Sequence, residues 1–160
     1  MSIAINTATI HKSFASILLS ITPNAHVYDN PNQQNTKLPA WFIVHREQTR
    51  VEEENQFRYI LTYSIDLYYL EQLNGTRTFD AYSSIADQLD YDLHYLEIYG
   101  SNGSKIHVLN REWSMELDAL KYSTTLKIRV KRDEITAPDM EVIESLETFI
   151  KRYHEKERNP

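Results

Sequence analysis

Three aspartates at residues 87, 90 and 92 come nearest to a pattern that could do chemistry. Asp87 and Asp90 stand three residues apart, so on a helix they share one side, where two carboxylates can bind a divalent cation or transfer protons. The apolar residues of this segment form a different stripe, which favours an ordinary solvated helix face. A small metal-dependent hydrolase that uses Asp87, Asp90 and His94 stays open as an alternative function.

Other catalytic and cofactor motifs are absent from the sequence. The six histidines form no HExxH or His-x-His pattern, and the lack of cysteine excludes disulfides, thiolate zinc sites and a cysteine nucleophile. Gly100 and Gly103 frame a hairpin turn rather than a phosphate-binding loop, and no GxSxG elbow occurs. We therefore expect no catalytic, metal or cofactor site and a protein that is not an enzyme.

A row of cations alternates with apolar residues near residue 126. Lys121, Lys127, Arg129 and Lys131 share one face of a predicted strand, where they could line a groove for an anion or nucleic acid. The net charge of −6 argues against a phosphate backbone as the main partner. A charged strand face is more often solvated or in contact with another protomer, so a nucleic-acid binder ranks last among the alternatives.

The composition bounds the class of protein. A chain of 160 residues with 41% apolar and 25% charged residues predicts one ordinary folded domain, residues 1–160. No stretch reaches the roughly 18 apolar residues of a membrane span, and the first residues lack the features of a signal peptide. We expect no membrane partner and a protein that stays in the compartment where it is made.

The helices that would flank these residues follow from apolar spacing. A stripe of helical period predicts a first helix that is capped by Asn6 or Thr7 and ends before Pro23. A long loop follows over residues 22–39, with a short extended piece at 26–28. A second helix is predicted over residues 77–95, and a C-terminal helix over about residues 138–157, where early glutamates and late cations complement the helix dipole.

Two strands with strict alternation dominate the rest of the chain. In residues 57–69 the odd positions are apolar and should be buried, while Arg58 and Asp66 lie on the opposite face with other polar residues. Residues 120–130 alternate in the same way. A strand at 41–46, an acidic hairpin loop at 51–55 and a hairpin over 98–113 complete an α+β fold, a small mostly antiparallel sheet covered on one face by helices.

The order of these elements, together with several local stretches, resembles the tail terminator or tail completion proteins of long-tailed bacteriophages. The likeness lies in the first helix, VYDNP at 27–31, LPAWFIV at 38–44, the strand at 58–69, IADQL at 85–89, WSMELD at 113–118 and the strand at 120–130. The acidic run at 52–54 and the segment after Pro138 have no counterpart in the family pattern.

The resemblance implies binding work rather than catalysis. It implies a homohexameric ring that caps the tail tube, stops its polymerisation and offers a docking surface to a head-completion or neck protein, while DNA passes through the lumen. Such a protein is expected in the host cytoplasm during assembly and then in the virion, at the head-tail interface. Candidate contacts within the ring or with the tube protein are Arg58, Asp66, Lys127 and Arg129. Another head-tail neck protein is the alternative within the same class.

Overall fold

The computed structural model describes residues 5–29, 34–71, 78–101 and 103–131. Two helices and seven strands follow one another in these residues, and the predicted helix over 138–157 lies outside them. In chain order the elements are α1 (Thr7–Ile21), β1 (His26–Tyr28), β2 (Ala40–His45), β3 (Arg50–Asn55), β4 (Arg58–Leu70), α2 (Thr78–Asp92), β5 (Tyr95–Glu97), β6 (Lys105–Glu116) and β7 (Ala119–Lys131).

All seven strands belong to one sheet, in the order β1-β2-β4-β7-β6-β5, with β3 also paired to β4. The β1–β2 pair is parallel and the other pairs are antiparallel. β4 and β7 pair along their whole length, from Arg58 opposite Lys131 to Leu70 opposite Ala119. β2 and β3 share the other edge of β4, one beside each half of that strand. The predicted α+β fold with a mostly antiparallel sheet is confirmed.

The hydrophobic core lies between the two helices and one face of the sheet. The odd residues of β4 and the even residues of β7 point into it, as the alternation predicted. Side chains that are 0% exposed come from both helices and from the central strands, and include Ile10, Phe14, Leu18, Trp41, Ile65, Leu67, Tyr82, Leu89, Leu120, Tyr122 and Leu126. Both helices therefore cover the same face, and we call the other face the helix-free face.

Side-chain hydrogen bonds fix the first helix at both ends. Asn6, one of the two residues predicted as the N-cap, caps α1. Its Oδ1 accepts a hydrogen bond from the backbone N–H of Thr9 at 2.9 Å. At the other end the Thr22 hydroxyl donates to the carbonyl of Leu18 and accepts the indole N–H of Trp41 at 2.7 Å. These hydrogen bonds connect the end of α1 to β2.

Three local predictions were wrong. Residues 51–55 do not form a loop but most of β3, whose six residues are all exposed; backbone pairing with β4 maintains a strand that has no apolar face of its own. The second helix ends at Asp92 rather than at 95, because residues 95–97 pair with β6 as β5. The predicted buried face of β4 is buried only from Tyr63 onward, and Phe57 is 37% exposed.

The sheet thus has two regions. The distal extension consists of residues 50–62 of β3 and β4 together with residues 127–131 of β7. The body consists of α1, α2, β1, β2, β5 and β6 with the remaining parts of β4 and β7.

Within the described residues, no helix is long and apolar enough to cross a membrane.

Candidate assembly surface

The register of β4 and β7 places all four predicted contact residues on the helix-free face. Even residues of β4 stand opposite odd residues of β7, so Arg58, Asp66, Lys127 and Arg129 point to the same side. They do not form one cluster. Asp66 lies in the body, while the three cations lie in the distal extension.

The distal end of the helix-free face is cationic. Arg58 stands directly opposite Lys131, and both are exposed, although like charges in facing positions of a sheet repel. Lys127 stands opposite Thr62, and Arg129 opposite Ile60. Arg129 Nη2 donates to Glu54 Oε1 at 2.7 Å, which offsets part of the repulsion. An exposed row of cations of this kind is suited to an acidic surface on another protein.

Asp66 is buried within the protomer, although it lies on the expected face. It is 3% exposed, and Arg46 Nη1 donates to its Oδ1 at 2.5 Å, while Lys121 Nζ lies 4.0 Å from its Oδ2. Lys121 also donates to Glu116 Oε1 at 3.1 Å, and this hydrogen bond raises the pKa of Lys121 above its usual value. Asp66 therefore joins β2 to β7, and its role in a contact between protomers stays a prediction.

The proximal end of the same face is apolar. Its half-buried side chains line a shallow depression of about 370 Å³, namely Phe42, Val44, Tyr68, Leu70 and Ala119. We call this set the apolar patch. The ring of Tyr28 stacks on Phe42 with centroids 5.6 Å apart and extends the patch toward β1. Aromatic and aliphatic side chains in such a setting are enriched at protein–protein interfaces.

Sequence reasoning missed the apolar patch and the partners of Asp66. The even residues of β2, Phe42 and Val44, show the same alternation as β4, but a short apolar strand gives no sign of which face is covered. Arg46 follows β2 directly, and only the pairing of Val44 with Asp66 shows that these two charges meet. Such pairing is not visible in a single sequence.

The aspartates that suggested a hydrolase have separate structural partners. Asp90 Oδ1 accepts a hydrogen bond from the hydroxyl of Tyr122, and the Asp90 carbonyl accepts one from Arg111. Burial first, and then the Asp90 carboxylate, raises the pKa of Tyr122. Asp92 accepts a hydrogen bond from Gln88, while Asp87 is exposed. In the part of the chain that the structure describes, no three histidine or acidic side chains are arranged to hold a metal ion.

A histidine pair links α1 to β2 on the core side. His11 Nε2 lies 2.7 Å from His45 Nε2, and Asp29 Oδ2 lies 3.9 Å from His11 Nδ1. Burial lowers the pKa of His11, the nearby His45 lowers it further, and Asp29 opposes both effects. At this distance one Nε2 must donate and the other must accept, so the two rings carry complementary protonation at these atoms.

Residues 9–138 match the family model described as "Phage tail terminator protein". No curated protein matches the chain. Among solved structures, the chain is similar to one in the "Virion of native gene transfer agent (GTA) particle", with 13% sequence identity, coverage of 78% of this chain and 92% of that chain, and a TM-score of 0.49.

Proposed function

The chain belongs to the phage tail terminator family, and from that premise we propose that it forms a homohexameric ring that caps the completed tail tube. Membership makes it a tail-related structural protein of the virion. In the proposed role the ring stops the addition of further tube subunits and presents a surface to a head-completion or neck protein. In this proposal the protein acts by binding other proteins, without catalysis and without a cofactor.

The observation that carries the proposal is the family match over residues 9–138. The matched range begins in the first turn of α1 and includes every later element of the structure. It contains the whole helix-free face, with the apolar patch at one end and the cations at the other. The match therefore includes the surface that we propose for the assembly contacts.

The helix-free face has the chemistry that two kinds of contact require. The apolar patch can bury area against a protein surface, while Arg58, Lys127 and Arg129 can select an acidic partner. We assign these three cations to contacts within the ring or with the tube. The net charge of −6 is consistent with a ring through whose lumen DNA passes without being held. Assembly would take place in the host cytoplasm, before the ring becomes part of the head-tail interface.

Tail-tube polymerisation in the presence of the purified chain tests the proposal. Tubes are grown from purified tube protein, the chain is added during growth, and tube lengths and ends are measured in negative-stain images. We expect growth to stop and extra density to cap one end of each tube. Tubes that keep growing to the same lengths, with bare ends, would contradict the proposal.

A matched pair of variants tests the assignment of the cations. The triple change of Arg58, Lys127 and Arg129 to glutamine should weaken capping, because it removes three exposed cations from the helix-free face. Changing Lys37 and Lys105 to glutamine removes exposed charges elsewhere and should leave capping unchanged. Equal capping by both variants would show that the cations of the helix-free face do not take part.

A further inference from the structure

The outer edge of β3 is an open strand edge. Among the described residues β3 pairs only with β4, and all six of its side chains are exposed. An open edge presents backbone N–H and C=O groups that can pair with another strand, and proteins usually cover or blunt such edges. Among the described residues no strand or helix covers this outer edge, so in that part of the chain its backbone groups can pair with a partner.

The distal end of β7 provides a second open edge. β6 pairs with β7 from Glu116 opposite Ala119 up to Val108 opposite Leu126, and beyond that point β6 pairs with β5 instead. Residues 127–131 of β7 are then paired only with β4 within the described part of the chain. The two open edges lie on opposite sides of β4, because β4 is flanked by β3 and β7.

The two edges carry opposite charge. β3 contains Arg50 and three consecutive glutamates at residues 52–54, and the free part of β7 contains Lys127, Arg129 and Lys131. Glu54 and Arg129 already pair within one copy, which leaves the β3 edge with a net negative charge and the β7 edge with a net positive charge. Glu52 stands opposite Ile60 and therefore shares the helix-free face with the three cations. Two β3 edges brought together would place carboxylates side by side, and two β7 edges would place cations side by side. The β3 edge is therefore complementary in net charge to the β7 edge.

We propose that the β3 edge of one copy pairs with the β7 edge of the next copy, so that the sheet continues from subunit to subunit. This inference rests on the proposed ring, because a head-to-tail contact of this kind generates a ring when its rotation closes. β3 and β7 both run antiparallel to β4 and therefore point in the same direction. If the strands of neighbouring subunits keep the same direction, β3 of one subunit and β7 of the next form a parallel pair. Backbone hydrogen bonds supply the contact, and the opposite charges select the correct edge.

Engineered cysteines test this pairing in a chain that has none of its own. Glu52→Cys is combined in turn with Lys127→Cys, Arg129→Cys and Lys131→Cys, since all four side chains lie on the helix-free face. Neighbouring strands are about 4.8 Å apart, which a disulfide can bridge. Within one copy β4 separates the two cysteines by about 10 Å, too far for a disulfide.

After mild oxidation, at least one combination should give a ladder of covalent oligomers on a non-reducing gel, ending at the size of the ring. Each single-cysteine variant should give no species larger than a dimer. Val51→Cys in place of Glu52→Cys is the matched control. Val51 is the neighbouring residue and is 56% exposed, but it points to the other face of the sheet and should give no ladder.

The assay is run on the purified chain and on the chain bound to tail tubes, with imaging of both samples. A ladder in either sample supports the edge pairing. Rings that are visible in images while every combination stays uncrosslinked would overturn the edge pairing and leave the proposed function standing. An absence of oligomers in both samples would contradict the pairing and the proposed ring together.

Discussion

The body and the distal extension are built on the same two strands but differ in what covers them. In the body, Ile65, Leu67, Leu120 and Tyr122 are 0% exposed beneath the two helices. In the distal extension the same face of these strands has less cover: Ile128 is still buried, but Leu61 and Val130 are only partly buried. Val51 of the neighbouring β3 is 56% exposed. Continuous pairing of β4 with β7 therefore maintains the extension, whereas the packing against helices maintains the body.

This difference separates two tasks. Burial of apolar side chains contributes most of the free energy of folding, and nearly all of it is concentrated in the body. The distal extension contributes open strand edges and exposed charges, which suit contacts with other subunits. Substitutions in the body should therefore change stability, and substitutions in the extension should change assembly.

The largest expected effect is in the body, at Trp41. Its side chain is 0% exposed, packs on Tyr69 with ring centroids 4.6 Å apart and donates to Thr22. Trp41→Ala should lower the free energy of unfolding by about 3–5 kcal/mol, measured by urea denaturation. Val51→Ala in the distal extension is the control and should cost less than about 0.5 kcal/mol. Equal losses from the two variants would remove the distinction between the regions.

Asp66→Asn should have the second largest effect. The change leaves Arg46 and Lys121 next to a neutral amide in a site where the side chain of residue 66 is 5% exposed. We expect a loss of about 1–3 kcal/mol in the free energy of unfolding, since two partly exposed cations lose the buried carboxylate that they share. Glu116→Gln, at the exposed end of the same cluster, is the control and should cost less than about 1 kcal/mol. An Asp66→Asn variant with unchanged stability would contradict the stabilising role assigned to this carboxylate.

The histidine pair makes the body sensitive to acid. The pKa of His11 in the folded state is lowered below the ordinary value of 6.5, so the unfolded chain takes up a proton first as the pH falls. At a pH above 6.5 His11 is neutral in both states and costs no stability. As the pH drops through 6.5 toward the pKa of His11 in the folded state, protonation of the unfolded chain lowers the free energy of unfolding.

His11→Gln should flatten the dependence of the free energy of unfolding on pH between about 7 and 5, measured by urea denaturation at each pH. His107→Gln changes an exposed histidine of β6 and serves as the control. An unchanged slope in the His11 variant would assign the acid sensitivity to other groups.

The smallest effect on stability is expected from the ion pair of the distal extension. Arg129→Gln removes the contact with Glu54, and the Arg129 side chain is 62% exposed. Exposed pairs contribute about 0.2–1 kcal/mol, so thermal unfolding of the monomer should change little. Light scattering should nevertheless show weaker association, because one cation of the β7 edge is gone. A large loss of stability together with unchanged association would reverse the tasks assigned to the two regions.

Much of the body follows from the sequence because its signals are local. Ile10, Phe14 and Leu18 recur at helical spacing, Asn6 caps α1, and the alternation of β4 and β7 gives the face that each side chain takes. The resemblance to tail terminators, based on these elements and their order, is confirmed by the family match.

The distal extension could not be predicted in the same way. Glu52, Glu53 and Glu54 have low strand propensity and no apolar alternation, and they form a strand only because β4 offers them a backbone partner. Phe57 was expected within the strand, but it lies in the turn between β3 and β4, where its side chain is 37% exposed. The alternation predicted the side of the sheet on which Arg58, Asp66, Lys127 and Arg129 lie, and their role as contacts stays a prediction. The burial of Asp66 by Arg46 depends on pairing between distant segments.

The mass of the purified chain in solution tests the central claim most directly. Light scattering across a range of concentrations, with negative-stain imaging of the same samples in the presence and absence of tail tubes, measures both the number of subunits and their arrangement. We predict a closed ring with a mass close to six times the 18.9 kDa of one chain. A chain that stays monomeric at every concentration and ignores tube ends would contradict the claim that this fold carries a surface for ring assembly.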